Sequence, residues 1–314
     1  MQWRHFYGTE QTFTGHSIPS FHTCFLTDVR RNVNKQKALF VGKIGAPVLQ
    51  PYYDLIKLFR KETINADSAS FISAIAPLIN LASVLTAAAI LPIGFWEPFI
   101  SFNGDIILFA YLLGLARFFQ ILAAMDIGSS FEGMGASREA LFAVFAEPIF
   151  FFTVGSIAFV SGYSSMYDIL HSVRLDSFTV IVFIVVCSIS TFILAVTECS
   201  RMPVDDPNTH LELTMIHEVM ILDNSGIDLF FHQLSSYIKL FIYSVILTSF
   251  FYPFSVQNYW LALLIFLVVM VFISTALAVT ETITSRFRMK NIPQYLLFAT
   301  AIGILNLLIF TFSG

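Results

Sequence analysis

Phe178 to Thr197 reads FTVIVFIVVCSISTFILAVT, without a single charge. It runs directly into Glu198 to Gly226, ECSRMPVDDPNTHLELTMIHEVMILDNSG, which holds six carboxylates, two histidines and one arginine. A helix rises about 1.5 Å per residue, so the first stretch is about 30 Å long, the thickness of a bilayer's hydrocarbon core. The second stretch is too polar for hydrocarbon and marks where the chain leaves it. A chain assembled from segments like the first is a helical membrane protein, and its concentrated polar segments are where its chemistry belongs.

Six more runs of the first kind occur, roughly Phe71 to Ile90, Ile106 to Met125, Ala140 to Val160, Leu234 to Tyr252, Tyr259 to Val279 and Tyr295 to Phe312. They are continuous rather than alternating, which excludes a β-barrel. Composition agrees: 56% of residues are hydrophobic and 12% charged, with a mean hydropathy of +0.76, so the charges are too few to coat a water-soluble globule. The expected fold is all-α, a polytopic bundle of about seven spans with surface amphipathic and cytoplasmic helices.

Of the 17 lysines and arginines, all but Arg117, Arg174 and Lys239 fall on one side if the chain before Phe71 is cytoplasmic. The positive-inside rule therefore orients the protein. It places the segment 198–233 and the turn with Arg286, Arg288 and Lys290 in the cytoplasm.

Cys24, Cys187 and Cys199 form no CxxC pair, so no zinc or iron–sulfur framework is readable. Nucleotide-binding loops and nucleophile elbows are also missing, and the net charge of −4 gives no reason to expect nucleic acid. The chain is expected to carry no redox centre of its own.

Residues 1 to 36 read as a polar cytoplasmic tail of low order, with His5, His16 and His22 but no run long enough to span. From Lys37 the texture changes. Near Pro51 a surface helix begins, with Tyr52, Leu55, Ile56 and Phe59 on one side and Asp54, Lys57, Arg60 and Lys61 largely on the other.

Two charges fall inside spans. Arg117 and Glu147 each lie roughly 10–12 Å deep, where an isolated charge costs about 2.5 to 3.5 kcal/mol. They are positioned to face each other. Pro148 follows Glu147 and leaves the carbonyl of Val144 without its helical donor. The pair reads either as a proton-exchanging site or as a buried ion pair that fixes helix packing. Lys239 reads as a residue that snorkels to the interface, and Gln120 as a hydrogen-bonding neighbour.

In the polar segment, Asp206 suits an N-cap and Pro207 the first helical position, so a helix is expected from about Pro207 to Leu222. His210 and His217 are seven residues apart, about 10.5 Å along such a helix, too far to chelate one metal ion. The carboxylates read either as a solvated acidic face or as the surface end of a titratable series continuing to Glu147 and Glu281.

The spacing of Glu198, Arg201, Pro203, Asp205, Pro207, Glu212 and Leu213 resembles the signature of a membrane-subunit family. That family is shared by respiratory complex I (subunit 1, the H-type subunit) and the group 4 nickel–iron hydrogenases, including formate hydrogenlyase. Gly135, Arg138 and, nine residues on, Glu147 match its preceding loop, where GMGASREA is close to the hydrogenase form. Val204 stands where the quinone enzymes have an aromatic, and Asn208 and His210 stand at two of their acidic positions. THLELTMIHE is similar to the hydrogenase version, as found in formate hydrogenlyase subunit 4. The resemblance covers roughly residue 37 onward, and family members have a further N-terminal span that residues 1 to 35 do not supply.

The resemblance implies a non-catalytic subunit of the inner membrane. It would anchor soluble nickel–iron hydrogenase-like and iron–sulfur subunits to antiporter-like membrane subunits. Glu139, Glu147, Glu198, Asp205, Glu212, Glu218 and Glu281 would be its proton- or ion-coupling groups, with Arg117, Arg138 and Arg201 as charge partners. A quinone-site subunit of an NADH dehydrogenase is the alternative, with quinone possible but not favoured. A secondary transporter is the third reading, although no inverted repeat is visible.

Overall fold

The computed structural model describes residues 28–313 apart from 48, 65, 67, 95, 173–177, 207–214 and 253–257. Seven helices in it are long and apolar enough to cross a membrane. Two shorter helices precede them: α1 (Asp28–Phe40) and α2 (Gln50–Phe59). The spanning helices are α3 (Phe71–Ile90), α4 (Asp105–Asp126), α5 (Ser130–Ser161), α7 (Phe178–Glu198), α8 (Gly226–Phe251), α9 (Tyr259–Ile283) and α10 (Ile292–Ser313), with a short α6 (Met166–Ser172) after α5. No strand occurs among the described residues.

The spans follow the apolar runs because a backbone without water must satisfy its amides within its own helix. Polar side chains set the ends. The hydroxyl of Ser70 caps α3 by accepting from the Ile72 amide, and Asn258 caps α9 by accepting from Trp260. Pro77 and Pro148 lie inside α3 and α5, and both helices continue through them. With 32 residues, α5 is about 48 Å long, well beyond a hydrocarbon core of about 30 Å.

The centre of the bundle is α8. Every residue from Tyr237 to Phe250 is buried, so this helix is enclosed all round, as befits a core helix. It packs against α2, α3, α7 and α9, while α10 packs on α5 and α7. Side chains such as Leu115, Phe118, Leu264, Val268 and Phe272 point outward from the other spans, as a lipid-facing surface requires.

At two points the fold differs from the sequence reading. Asp28–Phe40 is helical, although its residues up to 36 were read as part of a tail of low order. Its composition is polar, but Val29 and Val33, one turn apart, are buried in the core. Gln36 donates to the hydroxyl of Thr275 on α9 at 2.9 Å, and Lys37 pairs with Glu281. Tertiary anchoring overrides weak local propensity here. Residues 1–27 lie outside the described residues, and the tail expected there is not addressed by the structure.

The expected helix from Pro207 to Leu222 also differs. Its first eight positions are outside the described residues, and residues 215–222 contain only a single 3-10 turn, Glu218–Ile221. The backbone amides of Ile216 and His217 are instead drawn to a side chain, that of Asp205.

The surface helix forms as expected. Pro51 and Leu55 of α2 are buried, and Phe59 meets Phe230 of α8 edge-on with centroids 5.4 Å apart. Tyr53 and Ile56 remain exposed.

Candidate polar site between the spans and the 198–226 segment

The segment is shaped by how α7 ends. Arg201 donates its amide to the Val196 carbonyl and Ser200 donates to Thr197, the paired bonds of a Schellman motif. Ser200 holds the left-handed position, φ 50°, normally taken by glycine. The chain turns back sharply, and Val204 and Asp205 donate to the Arg201 carbonyl. Arg201 and Asp205 are thereby buried at the end of the bundle.

Asp205 fastens three segments. Its Oδ1 accepts from the guanidinium of Arg286 at 2.7 Å and from the Asp206 amide at 2.9 Å. Its Oδ2 accepts from the amides of Ile216 at 3.2 Å and His217 at 3.1 Å. Burial raises its pKa above the ordinary aspartate value, against the opposing pull of these donors. The 215–221 turn sits on α5 at Gly135, where a Cβ would lie 2.3 Å from Val219 and 3.0 Å from the Ile216 carbonyl. Arg138, one turn on, donates to the Met215 carbonyl at 2.9 Å. Glu132 of α5, fully buried, accepts from the Asp223 amide at 3.1 Å.

Below this turn lies an ion cluster. Arg117 of α4 pairs with Glu198 at the end of α7 and, at 3.3 Å through Nε, with Glu139 of α5. All three side chains are largely shielded. Lys239 of α8 is buried, and its charge acts on Glu198, Glu139 and Arg117. A polar chain leads away from the cluster: Asn80 donates to Gln120 at 3.2 Å, and Gln120 meets His217 Nε2 at 3.4 Å. Desolvation, with Lys239, His232 and Arg117 adding repulsion, lowers the His217 pKa to about 3, so its imidazole is neutral near pH 7.

A second cluster lies on the α1 side. Glu281 of α9 is buried and pairs with Arg201 at 3.1 Å and with Lys37 at 2.6 Å. Cys199, next to it in the fold, has its thiol pushed up to about 12 by burial and is held protonated.

Two hollows flank the Arg117–Glu198 pair. One opens towards the 198–226 segment and is lined by Glu139, Thr197, Ser200 and Asp205 together with the pair. The other is a cleft at span depth lined by Tyr111, Gly114, Glu147 and Tyr243 with the same pair. Arg117 and Glu198 thus form the partition between them.

Some sequence expectations change on this geometry. Arg117 was expected to face Glu147, yet its carboxylate partners are Glu139 and Glu198. The end of α7 brings Glu198 back beside α4, while Glu147 lies eight residues, about 12 Å, along α5 from Glu139. Glu147 is instead exposed at the cleft. Lys239 does not snorkel; it is enclosed with the rest of α8. Glu218 opens the 3-10 turn, partly buried. Glu212 and His210 lie outside the described residues. Lys37, Glu132 and Arg286 were missed as parts of the site; of the three, only Arg286, in the basic turn placed on the same side as the segment, carried a signal in the sequence. Among the described residues no group of three His, Cys, Asp or Glu side chains is placed to hold a metal.

The family pattern described as NADH dehydrogenase matches residues 33–311. The chain belongs to the NADH dehydrogenase subunit 1 family. This family member is 30% identical over 181 residues to formate hydrogenlyase subunit 4 of Escherichia coli (strain K12), covering 56% of this chain and 58% of that protein. It is 26% identical to hydrogenase-4 component C of the same organism, covering 73% and 72%. With the H-type subunit of the NADH-quinone oxidoreductase of Thermomicrobium roseum it shares 28% identity, covering 69% of each. Its fold is that of a chain in the membrane-bound sulfane sulfur reductase, an archaeal respiratory membrane complex, with a TM-score of 0.79, 20% identity, and 92% and 96% coverage. The protein is a multi-pass membrane subunit of a complex I-like or hydrogenase-type complex.

Proposed function

We propose that the protein is the membrane-anchor and ion-coupling subunit of a hydrogenase-type, formate hydrogenlyase-like complex of the inner membrane, with the 198–233 segment cytoplasmic. The observation that carries this reading is the partition: one arginine, Arg117, is shared by Glu139 and Glu198 between a segment-side hollow and a span-depth cleft that Glu147 helps to line. Two carboxylates competing for one cation form a switch, because the one that loses the guanidinium is desolvated and takes up a proton.

Soluble hydrogenase-like and iron–sulfur subunits docked on the 198–226 segment would move the turn that Asp205 holds, and with it His217 and Gln120 above Arg117. A proton acquired at Glu139 or Glu198 then passes towards Glu147. The electrons stay in the soluble subunits, and this chain supplies no redox centre. An exposed carboxylate at span depth is costly in lipid, which supports an antiporter-like membrane subunit covering the cleft.

The hydrogenase reading is supported by Val204, Asn208 and His210 and by the likeness to formate hydrogenlyase subunit 4. The likeness to an NADH-quinone oxidoreductase component supports the quinone-site reading as second. The test uses vesicles containing the whole complex, with turnover and ion movement recorded together. Glu198→Gln and Glu139→Gln are expected to leave the complex assembled and to reduce ion movement at least tenfold, with turnover restored by a protonophore. Loss of assembly in step with activity would reduce the cluster to a packing device. Turnover that requires an added quinone and yields no hydrogen would favour the second reading.

A further inference from the structure

The coupling mechanism leaves one buried titratable side chain without a task. His232 lies six residues into α8, about 9 Å from the end at which the 198–226 segment enters that helix. It is enclosed, and neither Nδ1 nor Nε2 has a hydrogen-bond partner in the protein. Buried polar atoms left unpaired cost free energy, and an apolar ring of similar size would avoid that cost. A histidine here is explained only by a use of its ring nitrogens.

The register of α8 supplies one. Positions 232, 235, 236 and 239 share a helical face, and Lys239 is the first charge that follows His232 on it. Ser235, between the two, donates its hydroxyl to the Phe231 carbonyl at 2.7 Å. Helical side chains lean towards the N-terminal end of their helix, which sets the four-carbon stem of Lys239 on the His232 side. The charge of Lys239 acts on His232 and also on Glu198 and Glu139. Lys239 thus stands between an imidazole with two free nitrogens and the two carboxylates that compete for Arg117.

The neighbouring groups are less suited to pass a proton. His217 on the turn is close enough for its charge and that of His232 to repel, but its Nε2 is engaged with Gln120. Asp205 is held by Arg286 and three backbone amides. Helix α3, which packs on α8, has no titratable residue, and Glu198 and Cys199 of α7 act on Lys239. Asp54 of α2 acts on Tyr237, and Glu281 of α9 acts on Arg30 over that ring, five positions round α8 from His232. Burial and the charge of Lys239 keep His232 neutral at rest, so a proton arriving there is passed on rather than held.

We propose that His232 and Lys239 form the entry path by which protons from the cytoplasmic side reach Glu198 and Glu139. The inference rests on the coupling reading above and adds its proton source. In one transfer, the carboxylate released by Arg117 takes a proton from the Lys239 ammonium and leaves a neutral amine. The flexible stem swings towards His232, whose ring gives the amine the proton on one nitrogen as the other nitrogen takes one from the cytoplasmic side. Lys239 is an ammonium again, a ring flip restores the imidazole, and one proton has moved to the carboxylate.

The test uses inside-out vesicles containing the whole complex, with proton uptake read by an internal pH dye alongside turnover. Lys239→Arg keeps the charge but cannot give up a proton, and His232→Ala removes the ring. Each is expected to leave the complex assembled and to lower proton uptake at least tenfold. Added imidazole should restore uptake several-fold in His232→Ala, whereas pyrazole, of the same shape and a far weaker base, should not. His232→Phe, which fills the site, should be at least as stable as wild type in thermal unfolding and as deficient in uptake as His232→Ala.

Uptake within twofold of wild type in Lys239→Arg or His232→Phe overturns the proposal. Rescue of His232→Ala by pyrazole as fully as by imidazole also overturns it, because only packing is then restored. Should Lys239→Arg not assemble, His232→Phe and the imidazole rescue decide alone. Glu198→Gln separates this inference from the reading beneath it. If that variant loses uptake while the α8 variants keep it, the coupling site stands and the entry path is rejected; if Glu198→Gln keeps uptake as well, both are rejected.

Discussion

Gly135 allows α5 and the 215–221 turn to touch, and a methyl group there would overlap Val219 and crowd the Ile216 carbonyl. Gly135→Ala is therefore expected to destabilise the protein by about 1–3 kcal/mol, as overpacking does. Because the displaced turn carries two of the amides that Asp205 accepts, coupled activity should fall with it. Thermal unfolding in detergent, beside Gly133→Ala where a Cβ meets nothing, separates this contact from helix propensity.

His217 gives a pH signature of definite sign. Its folded pKa, about 3, is below the ordinary histidine value of 6.5. Between these values the unfolded chain binds a proton that the native state refuses, so stability is full above about pH 6.5 and is lost as pH falls. The slope is at most about 1.4 kcal/mol per pH unit. Asp205 acts oppositely: its raised pKa makes the native state the better proton binder above 3.8, and its contribution declines as pH rises through that window. Comparing wild type with His217→Gln isolates the histidine, and the variant should lose less stability between pH 7.5 and 5. Equal slopes would mean that the imidazole is solvated.

Arg117 tests the pairing directly. Arg117→Leu leaves Glu198 and Glu139 buried without their cation, a loss of about 3 to 5 kcal/mol. Adding Glu198→Gln should recover part of that loss, whereas adding Glu147→Gln should recover none. Rescue by Glu147→Gln instead would restore the direct pairing read from the sequence.

At the level of elements, the seven spans were legible because a hydrophobic run of bilayer length has one stable solution. Their ends were not, since α5 and α8 continue for whole turns on polar residues: α5 begins at Ser130 rather than Ala140, and α8 at Gly226 rather than Leu234. Helix α1 was invisible because two valines were its only seam. The polar segment showed the reverse failure: Asp206 and Pro207 offered good helix-start chemistry, yet Asp205 claims the amides of residues 216 and 217 for itself. Individual site residues could be flagged as charges out of place. Their pairing could not, because Arg117 and Glu198 are 81 residues apart and Arg201 and Glu281 are 80 apart, with no local signal connecting them.

For the whole molecule, the charge clusters gather around one end of an otherwise apolar bundle. Arg201 carries the Glu281 cluster, Asp205 bonds to the turn that reaches Gln120, and Glu198 closes the Arg117 cluster, all within the first eight residues after Thr197. Replacing Ser200 by glycine, which takes the left-handed conformation freely, is expected to preserve this arrangement and stabilise it by up to about 1 kcal/mol. A drop in stability would show that the Ser200 hydroxyl matters more than its backbone.

Helix α5 carries Glu132, Gly135, Arg138 and Glu139 near one end, and only then Glu147 and Pro148. Mechanically it is a lever with a weak point. The arm beyond the hydrocarbon is gripped by the 215–221 turn, and the first place where the rod lacks a backbone hydrogen bond is the proline, one residue past the carboxylate at the cleft. If a partner docks on the outer arm as proposed, bending is expected to concentrate at that joint and to reach Glu147, ~20 Å away, as a change of angle.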